Sequence, residues 1–352
     1  MNIKTYVFTI RPESAFGTPL KGDTLFGQFC WMLAEDPKLA RYDLSTLLAP
    51  YEKSPFVVFS SAWPVVVQDG GWVFALPRPE LPMSVIGEGS GKYKGCAERL
   101  KARKDRKAKK WFLVGEALKE KLSWERLVND RELFDIILGS MSEAERADMI
   151  QAETRKAVES VAQQHNTINR QTMTTGTGMF SPYVVHNMWF LPGMELSIFV
   201  ALNEDLIDID GVQRGLERIG EFGFGRDAST GLGRFSLGEI EEIEWPSHMH
   251  EEPVFTLGPS VPEQNRFKKA YFQPFTRFGR HGSQLIHMGN PFKRPVVMAD
   301  EGAVLVPGDD DSIETPWIGT GVKGVSRTMK ETVCQGYSLV LPLKLDVPGA
   351  QI

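Results

Sequence analysis

No run in this chain approaches the ~18 consecutive apolar residues that a membrane-spanning helix needs. The sequence opens on a strand-like run, not on a basic patch followed by an apolar stretch, so the cytoplasm is the expected compartment. Cysteine is scarce. Cys30, Cys96 and Cys334 are far apart and odd in number, which excludes a disulfide framework and any CxxC metal or redox site. An excess of positive charge is also missing. The formal net charge is -5, which argues against a protein that coats nucleic acid indiscriminately, because that kind of affinity comes from Lys and Arg meeting phosphates. Neither the glycine-rich stretch Gly220 to Phe235 nor Gly319 to Gly324 has the Gly-Lys-Ser/Thr ending of a P-loop. Gly282-Ser283 continues as Gln284-Leu285, so there is no GxSxG nucleophile elbow. No internal period of about 20–50 residues recurs.

What is present is an ordinary globular composition, 42% apolar and 24% charged over 352 residues, enough for two packed cores. Two domains are expected, at about 1–245 and 261–352. Charge is unevenly spread. From Lys92 to Lys110, ten basic residues stand against Glu98 and Asp105, whereas from Glu239 to Glu252 six carboxylates face only His248 and His250. Such asymmetry implies different partners for different faces.

The local patterns predict an α+β fold. Ile3, Tyr6, Phe8 and Ile10 are spaced for a half-buried strand. Asp23 and Thr24 are N-cap candidates for a helix carrying Leu25, Phe26, Phe29, Met32 and Leu33. Short strands follow at Phe56 to Phe59, Pro64 to Val67 and Trp72 to Leu76, then short helices at Trp124 to Val128 and Glu132 to Leu138. Val161 to Asn187 reads as a protruding polar hairpin turning at Thr174 to Gly178. A strand from Glu195 to Leu202 and a helix from Val212 to Glu221 lead into the glycine-rich stretch, and a strand from Arg234 to Ile243 leaves it. Further strands at Phe267 to Phe275, Arg294 to Met298, Ala303 to Val306 and Tyr337 to Leu345 make the second domain β-rich.

In the glycine-rich stretch, Gly223, Gly225, Gly231 and Gly233 remove Cβ atoms, while Arg226, Ser229, Thr230 and Arg234 supply donors. The composition fits a phosphate cradle, in which bare amides and guanidinium forks hold an anion, and it fits a long turn equally well. The spacing Gly223, Gly225, Ala228 mimics a dinucleotide fingerprint, but that motif follows a strand and opens a helix, the reverse of the order here. The basic stretch reads either as a solvated face or as sequence-independent phosphate contact. On the hairpin, Arg170 is placed to pair with a phosphate and Met173, Met179 or Phe180 to wedge against a base. His248 and His250 have no third ligand near them in sequence, so no metal is expected. His281 and His287, beside Arg277 and Arg280, suit either a polar surface loop or acid-base cleavage of RNA.

Taken in order, these motifs resemble the RAMP superfamily of CRISPR effector proteins. Within it, Phe16 to Gly27, Arg103 to Phe112, Asn169 to Thr172, Gly223 to Phe235, Arg294 to Val297 with Glu301-Gly302, and Gly336-Tyr337 resemble the Cas-five-like subunits of type III-A complexes. The resemblance spans nearly the whole chain. It implies two tandem ferredoxin-like (RRM-like) domains, the first carrying a basic insertion (about 92–110), a β-hairpin thumb (about 161–187) and the glycine-rich loop (220–235). It also implies a non-catalytic, cofactor-free RNA-binding subunit acting in antiviral defence. Such a subunit caps the 5′ handle of the CRISPR RNA (crRNA), meets target RNA through the guide duplex, and docks the large cyclase-bearing subunit and the first backbone subunit. The implied RNA-binding residues are Lys21, Gly22, Asp23 and Thr24 in the first loop, Arg170, Thr172, Met173 and Phe180 in the thumb, and Gly225, Arg226, Ser229, Thr230, Gly231, Gly233 and Arg234 in the glycine loop. A competing expectation is a metal-independent endoribonuclease that processes CRISPR precursor RNA, with His281, His287 or Lys21 near the scissile phosphate. An equivalent Cas-five-like subunit of another type III subtype is a further one.

Overall fold

The computed structural model describes residues 2–68, 70–86, 95–149, 155–246, 249–250, 252–282, 290–309 and 311–345. His248, His287, Lys92, Lys94 and Glu251 lie outside them. The first part of the chain forms β1 (Ile3–Pro12), α1 (Gly22–Glu35), α2 (Leu44–Leu48), β2 (Val57–Gln68), β3 (Gly71–Pro77), α3 (Cys96–Ala108), β4 (Trp111–Gly115) and β5 (Leu127–Val128). Next come α4 (Asp130–Ser140), α5 (Glu143–Met149), β6 (Val158–His165), β7 (Tyr183–Phe190), β8 (Glu195–Asn203), α6 (Ile209–Phe222) and β9 (Phe235–Glu242). The remainder is β10 (Met249–His250), β11 (Val254–Thr256), β12 (Phe267–Tyr271), β13 (Pro274–Arg277), β14 (Val296–Ala299), β15 (Val304–Pro307), β16 (Ser312–Ile313), β17 (Trp317–Gly319) and β18 (Tyr337–Pro342).

Seven strands make the main sheet in the order β5-β4-β3-β2-β8-β1-β9, and every pairing is antiparallel. The four strands at one end, β2-β8-β1-β9, are threaded with α1 and α6 in a β-α-β-β-α-β sequence. The helices pack on one face because their apolar residues recur at helical spacing: Leu25, Phe26, Phe29, Met32 and Leu33 on α1, and Val212, Leu216 and Ile219 on α6. Asn129 and Glu132 form a reciprocal capping box that starts α4.

The half-buried strand expected at residues 3–10 is buried on both sides from Thr5 to Ile10. Side chains alternate across a strand, so Phe59 meets Phe29 of α1, while Phe199 points the other way, against Phe74 and Trp245. Trp245 in turn donates through Nε1 to the Val340 carbonyl of a second, five-stranded sheet, β12-β15-β11-β18-β17. The two sheets share one apolar core, which runs from Phe8, Phe59 and Phe199 through Phe255 and Leu257 to Leu339 and Leu341. Gln335, fully buried, closes the seam. Its Nε2 donates to the Phe59 carbonyl at 2.8 Å and its Oε1 accepts from the Phe59 amide at 3.0 Å, satisfying the backbone where β2 shifts register.

Several local expectations change. Trp124 to Val128 is a turn and a short strand, because Leu127 and Val128 pair with Phe112 and Trp111 and tertiary pairing outweighs a weak helical pattern. Phe267 to Phe275 divides into β12 and β13, which belong to different sheets. The basic stretch is a helix from Cys96 to Ala108, and Lys109 and Lys110 lead out of it into β4. Asp23 sits inside the first turn of α1 and does not cap it. Among the described residues after Phe222 there is no α-helix.

Candidate nucleic-acid interface

The glycine loop begins where α6 stops. Gly223 turns the chain out of the helix with φ of +94°, and the Gln28 side chain spans the opening, donating to the Gly223 carbonyl and accepting from the Gly225 amide. Buried Phe224 anchors the loop to Phe16. At Gly225 (φ +77°) a Cβ would lie 2.5 Å from the Thr18 side chain, so the close approach of the first loop requires glycine. Thr18 Oγ1 accepts from the Arg226 amide at 2.9 Å. Asp227 is left-handed, and residues 228–230 make a tight turn in which Thr230 Oγ1 donates to the Asp227 carbonyl. The exit is stitched as firmly: Gly233 donates to Ala15, Phe224 donates to Gly233, Glu13 donates to Arg234, and the Arg234 amide donates to Ser14 Oγ. The left-handed Asp227 is held by Thr230 and Leu232 of its own loop, and the close-packed Gly233 by Ala15 of the first loop.

Arg226 joins this loop to the hairpin. Its Nη2 donates to the His186 carbonyl at 3.0 Å and to Asn187 Oδ1 at 2.8 Å, while its Nε lies 3.2 Å from Asp227 Oδ2. The hairpin, β6 paired with β7 from Val158↔Phe190 to His165↔Tyr183, is rooted by the Phe16–Met188 bridge and by the edge-on contact of Phe16 with Phe190. Its tip is solvent-facing: Arg170, Thr172 and Met173 are exposed, Phe180 is half-buried, and Met173 is left-handed at φ +56°. Met173 and Met179 are 76% and 82% exposed, which leaves two flexible apolar side chains free to pack against a planar group. Ser229, Thr230 and Arg234 are also exposed. Arg234 lines a cleft that it shares with Glu13, Glu217 and Glu221, so carboxylates flank that cation on one side.

The first-loop set points elsewhere. Lys21 Nζ is held by Asp300 and by Glu301 Oε2 at 2.6 Å, above the Phe275 ring. Gly22 has no room for a Cβ, which would meet the Phe59 carbonyl at 2.2 Å. Asp23, with its side chain 1% exposed, takes both arms of Arg277 at 2.6 and 2.9 Å, and Thr24 Oγ1 donates to the Lys21 carbonyl. Burial pushes the Asp23 carboxyl up, against the pull of Arg277. The structure therefore brings together the glycine loop, residues 13–18 and the root of the hairpin. It sends Lys21 and Asp23 to a half-buried charge cluster with Arg277, Asp300 and Glu301, in which Asp23 alone is fully buried. Arg277, Asp300, Gln28 and Asn187 were not among the expected site residues, and nothing in their local sequence marks them. His281 is 4% exposed, its Nε2 lies 2.8 Å from Ser326 Oγ, and burial lowers its pKa.

That cluster carries a pH signature. Burial pushes the Glu301 carboxyl up to about 7, while Asp300, although burial opposes it, is held below the ordinary carboxylate range by hydrogen bonds from Glu301 and Lys21. Glu301 binds its proton more tightly folded than unfolded, so its contribution is full below the unfolded carboxyl value and is lost as pH rises to about 7. Urea unfolding should show the native chain losing on the order of 2–3 kcal/mol relative to E301Q between about pH 4.5 and pH 7.5. Parallel curves for the two proteins would refute this assignment.

The architecture is that of an α+β protein in which a glycine loop and the root of a hairpin meet through Arg226. The same fold occurs in solved type III CRISPR assemblies. The chain superimposes on a chain of the crystal structure of the Csm3–Csm4 subcomplex in the type III-A CRISPR-Cas interference complex with a TM-score of 0.53 and 15% identity, covering 97% of this chain and 99% of that one. It is also similar to chains in crystal structures of the Csm1–Csm4 cassette, with cA4 (TM-score 0.51, 14% identity, 97% and 99% covered) and with pppApA (TM-score 0.50, 14% identity, 97% and 98% covered). No protein-family model matches the chain, and no curated protein matches its sequence. The shared fold agrees with the resemblance carried by the sequence motifs. Among the described residues no helix is long and apolar enough to cross a membrane.

Proposed function

We propose that this chain is a non-catalytic, Csm4-type RAMP subunit of a type III CRISPR effector complex that holds the 5′ handle of the crRNA. The observation that supports the reading best is the near-complete overlap, 97% of this chain and 99% of its counterpart, with a structure whose subunits are Csm3 and Csm4. Under this reading the β-α-β-β-α-β unit is ferredoxin-like, β6–β7 is the thumb, and the chain docks both a large cyclase-bearing subunit and the first backbone subunit.

Single-stranded RNA is recognised by splaying unstacked nucleotides where bases, 2′-hydroxyls and phosphates are all reachable. The braced glycine loop offers such a wall. Gly225, Gly231 and Gly233 keep side-chain bulk away, Ser229 donates to phosphate or ribose, Thr230 does so on releasing its bond to the Asp227 carbonyl, and Arg234 supplies the exposed charge. Arg226 acts both on RNA and on the angle of the thumb, since it already holds β7. At the thumb tip, Arg170 and Thr172 contact the backbone while Met173 or Phe180 wedges beside a base. Lys21 to Thr24 support the wall from beneath through their ties to the second unit.

Pulling the tagged chain from its native host should recover RNAs with a shared 5′ tag together with large and backbone subunits. R226A/R234A should bind a handle-bearing oligonucleotide about tenfold or more weakly at moderate salt, a loss of about 1.4 kcal/mol per tenfold. Unchanged affinity would remove the glycine loop from the site. Labelled repeat RNA incubated with the protein in EDTA should stay intact; site-specific cleavage would favour the endoribonuclease reading instead.

A further inference from the structure

None of the thirteen residues of helix α3 is buried, so it contributes no face to the core. It carries six cations, Arg99, Lys101, Arg103, Lys104, Arg106 and Lys107, against Glu98 and Asp105, in a protein whose net charge is -5. Its position is nevertheless defined. The Arg106 guanidinium sits over the Trp124 ring at 5.1 Å, Arg78 stacks on the same ring at 5.5 Å, and Arg78 Nη1 donates to the carbonyls of Arg106 and Lys109. The helix is thus pinned at its C-terminal end to the β4–β5 edge of the main sheet.

With Arg106 and half-buried Ala102 facing inward, helical spacing puts Arg103, Lys107, Leu100, Lys104 and Lys101 on the outward arc. Glu98 and Asp105, seven residues apart, fall together to one side of it. The side chains of Arg99, Lys101, Arg103, Lys104 and Lys107 make no hydrogen bond or ion pair among the described residues, and all five residues are exposed. Arg99–Arg103 and Arg103–Lys107 are like-charge pairs at i,i+4, each of which works against an isolated helix. Among the described residues nothing neutralises this arc.

We infer that the outward arc of α3 is a docking surface for the phosphodiester backbone of nucleic acid, engaged by charge alone and separate from the glycine loop. A protein partner would need a buried apolar or aromatic anchor, because such anchors carry most protein–protein binding energy. The arc offers only Leu100 among its cations. A polyanion needs no anchor. Each Lys or Arg that neutralises a phosphate releases a counterion, so a row of unpaired cations at one or more per helical turn suffices. This surface does not depend on the crRNA assignment, since it specifies no sequence and no handle.

The test uses the full chain, a labelled twenty-nucleotide polyuridine, and polyglutamate as the acidic-protein probe. K101Q/K104Q/K107Q keeps helix propensity and removes three cations from the arc, and K101R/K104R/K107R keeps the charge. The glutamine variant should bind polyuridine about tenfold or more weakly at ~0.1 M salt, with the slope of log affinity against log salt smaller by about 2, since each phosphate contact to a single strand contributes about 0.7. The arginine variant should match the native chain, and circular dichroism should show all three folded alike. Unchanged affinity and slope would overturn the proposal. So would tighter binding of polyglutamate than of polyuridine with the same sensitivity to the three lysines, which would assign the arc to an acidic protein. In an R226A/R234A background the three glutamine substitutions should still lower the slope by about 2, so failure of the handle reading and failure of this one are separable.

Discussion

Replacing Asp23 with Ala should destabilise the chain by about 3 kcal/mol or more, because it strips Arg277 of its bidentate partner at a seam where the Asp23 side chain is 1% exposed. Arg277 cannot shed its proton to escape the mismatch. The reverse substitution, R277M, should be milder. Without the guanidinium, the Asp23 carboxyl, already pushed up by burial, can take a proton and become neutral. The double variant D23L/R277M should recover much of the loss, since well-packed apolar pairs often replace buried ion pairs without penalty. Urea unfolding of the native chain and the three variants gives the comparison directly. A D23A loss below about 1 kcal/mol would mean that Arg277 simply swings into solvent and that the seam is not held by this pair.

Gly233→Ala is the second large effect. The residue is left-handed at φ +75°, and a Cβ there would stand 2.2 Å from the Phe224 carbonyl oxygen and 2.5 Å from its amide nitrogen. Both are backbone atoms, held by the hydrogen bonds from Phe224 to Gly233 and from Gly233 to Ala15. The conformational strain of about 1–2 kcal/mol therefore adds to a clash that only a shift of the whole loop relieves, for a total of about 3 kcal/mol or more. Gly231→Ala is the matched control. Its φ of +95° is as strained, but no atom lies within contact of the added Cβ, so the loss should be about 1–2 kcal/mol. Thermal unfolding of both variants separates space from conformation. Equal losses would show that the packing at Gly233 is not limiting.

These two sites divide the work of the proposed interface. The Gly233 side keeps the glycine loop, the first loop and the hairpin root as one braced unit, which presents donors without having to order them on binding. The Asp23 side ties the start of α1 to the second unit, so a partner that moves that unit would also move the floor beneath the first loop.

Much of this architecture is visible in local pattern. The helices α1 and α6, the hairpin and the loop between α6 and β9 all follow from spacing, turn residues and glycine placement, because those signals act within a few residues. The reading of Trp124 to Val128 as helix fails for the complementary reason: its partner strand, beginning at Trp111, decides its conformation, and no property of the five residues reveals it. Asp23 looks like a helix cap in sequence. Its partner Arg277 is 254 positions away.

By itself, the sequence determined the α+β class, the order of the main elements, the glycine loop between a helix and a strand, and the concentration of cations before Trp111. Tertiary structure alone decided which charges are paired and which are open. Lys21 is taken by carboxylates 279 and 280 residues on, and Arg226 by Asn187 of the hairpin, whereas the outward lysines of α3 keep theirs. Propensity and periodicity are properties of neighbours along the chain. The pairing and desolvation of charge depend on what the fold carries to within hydrogen-bonding distance, and that is not written in any local stretch.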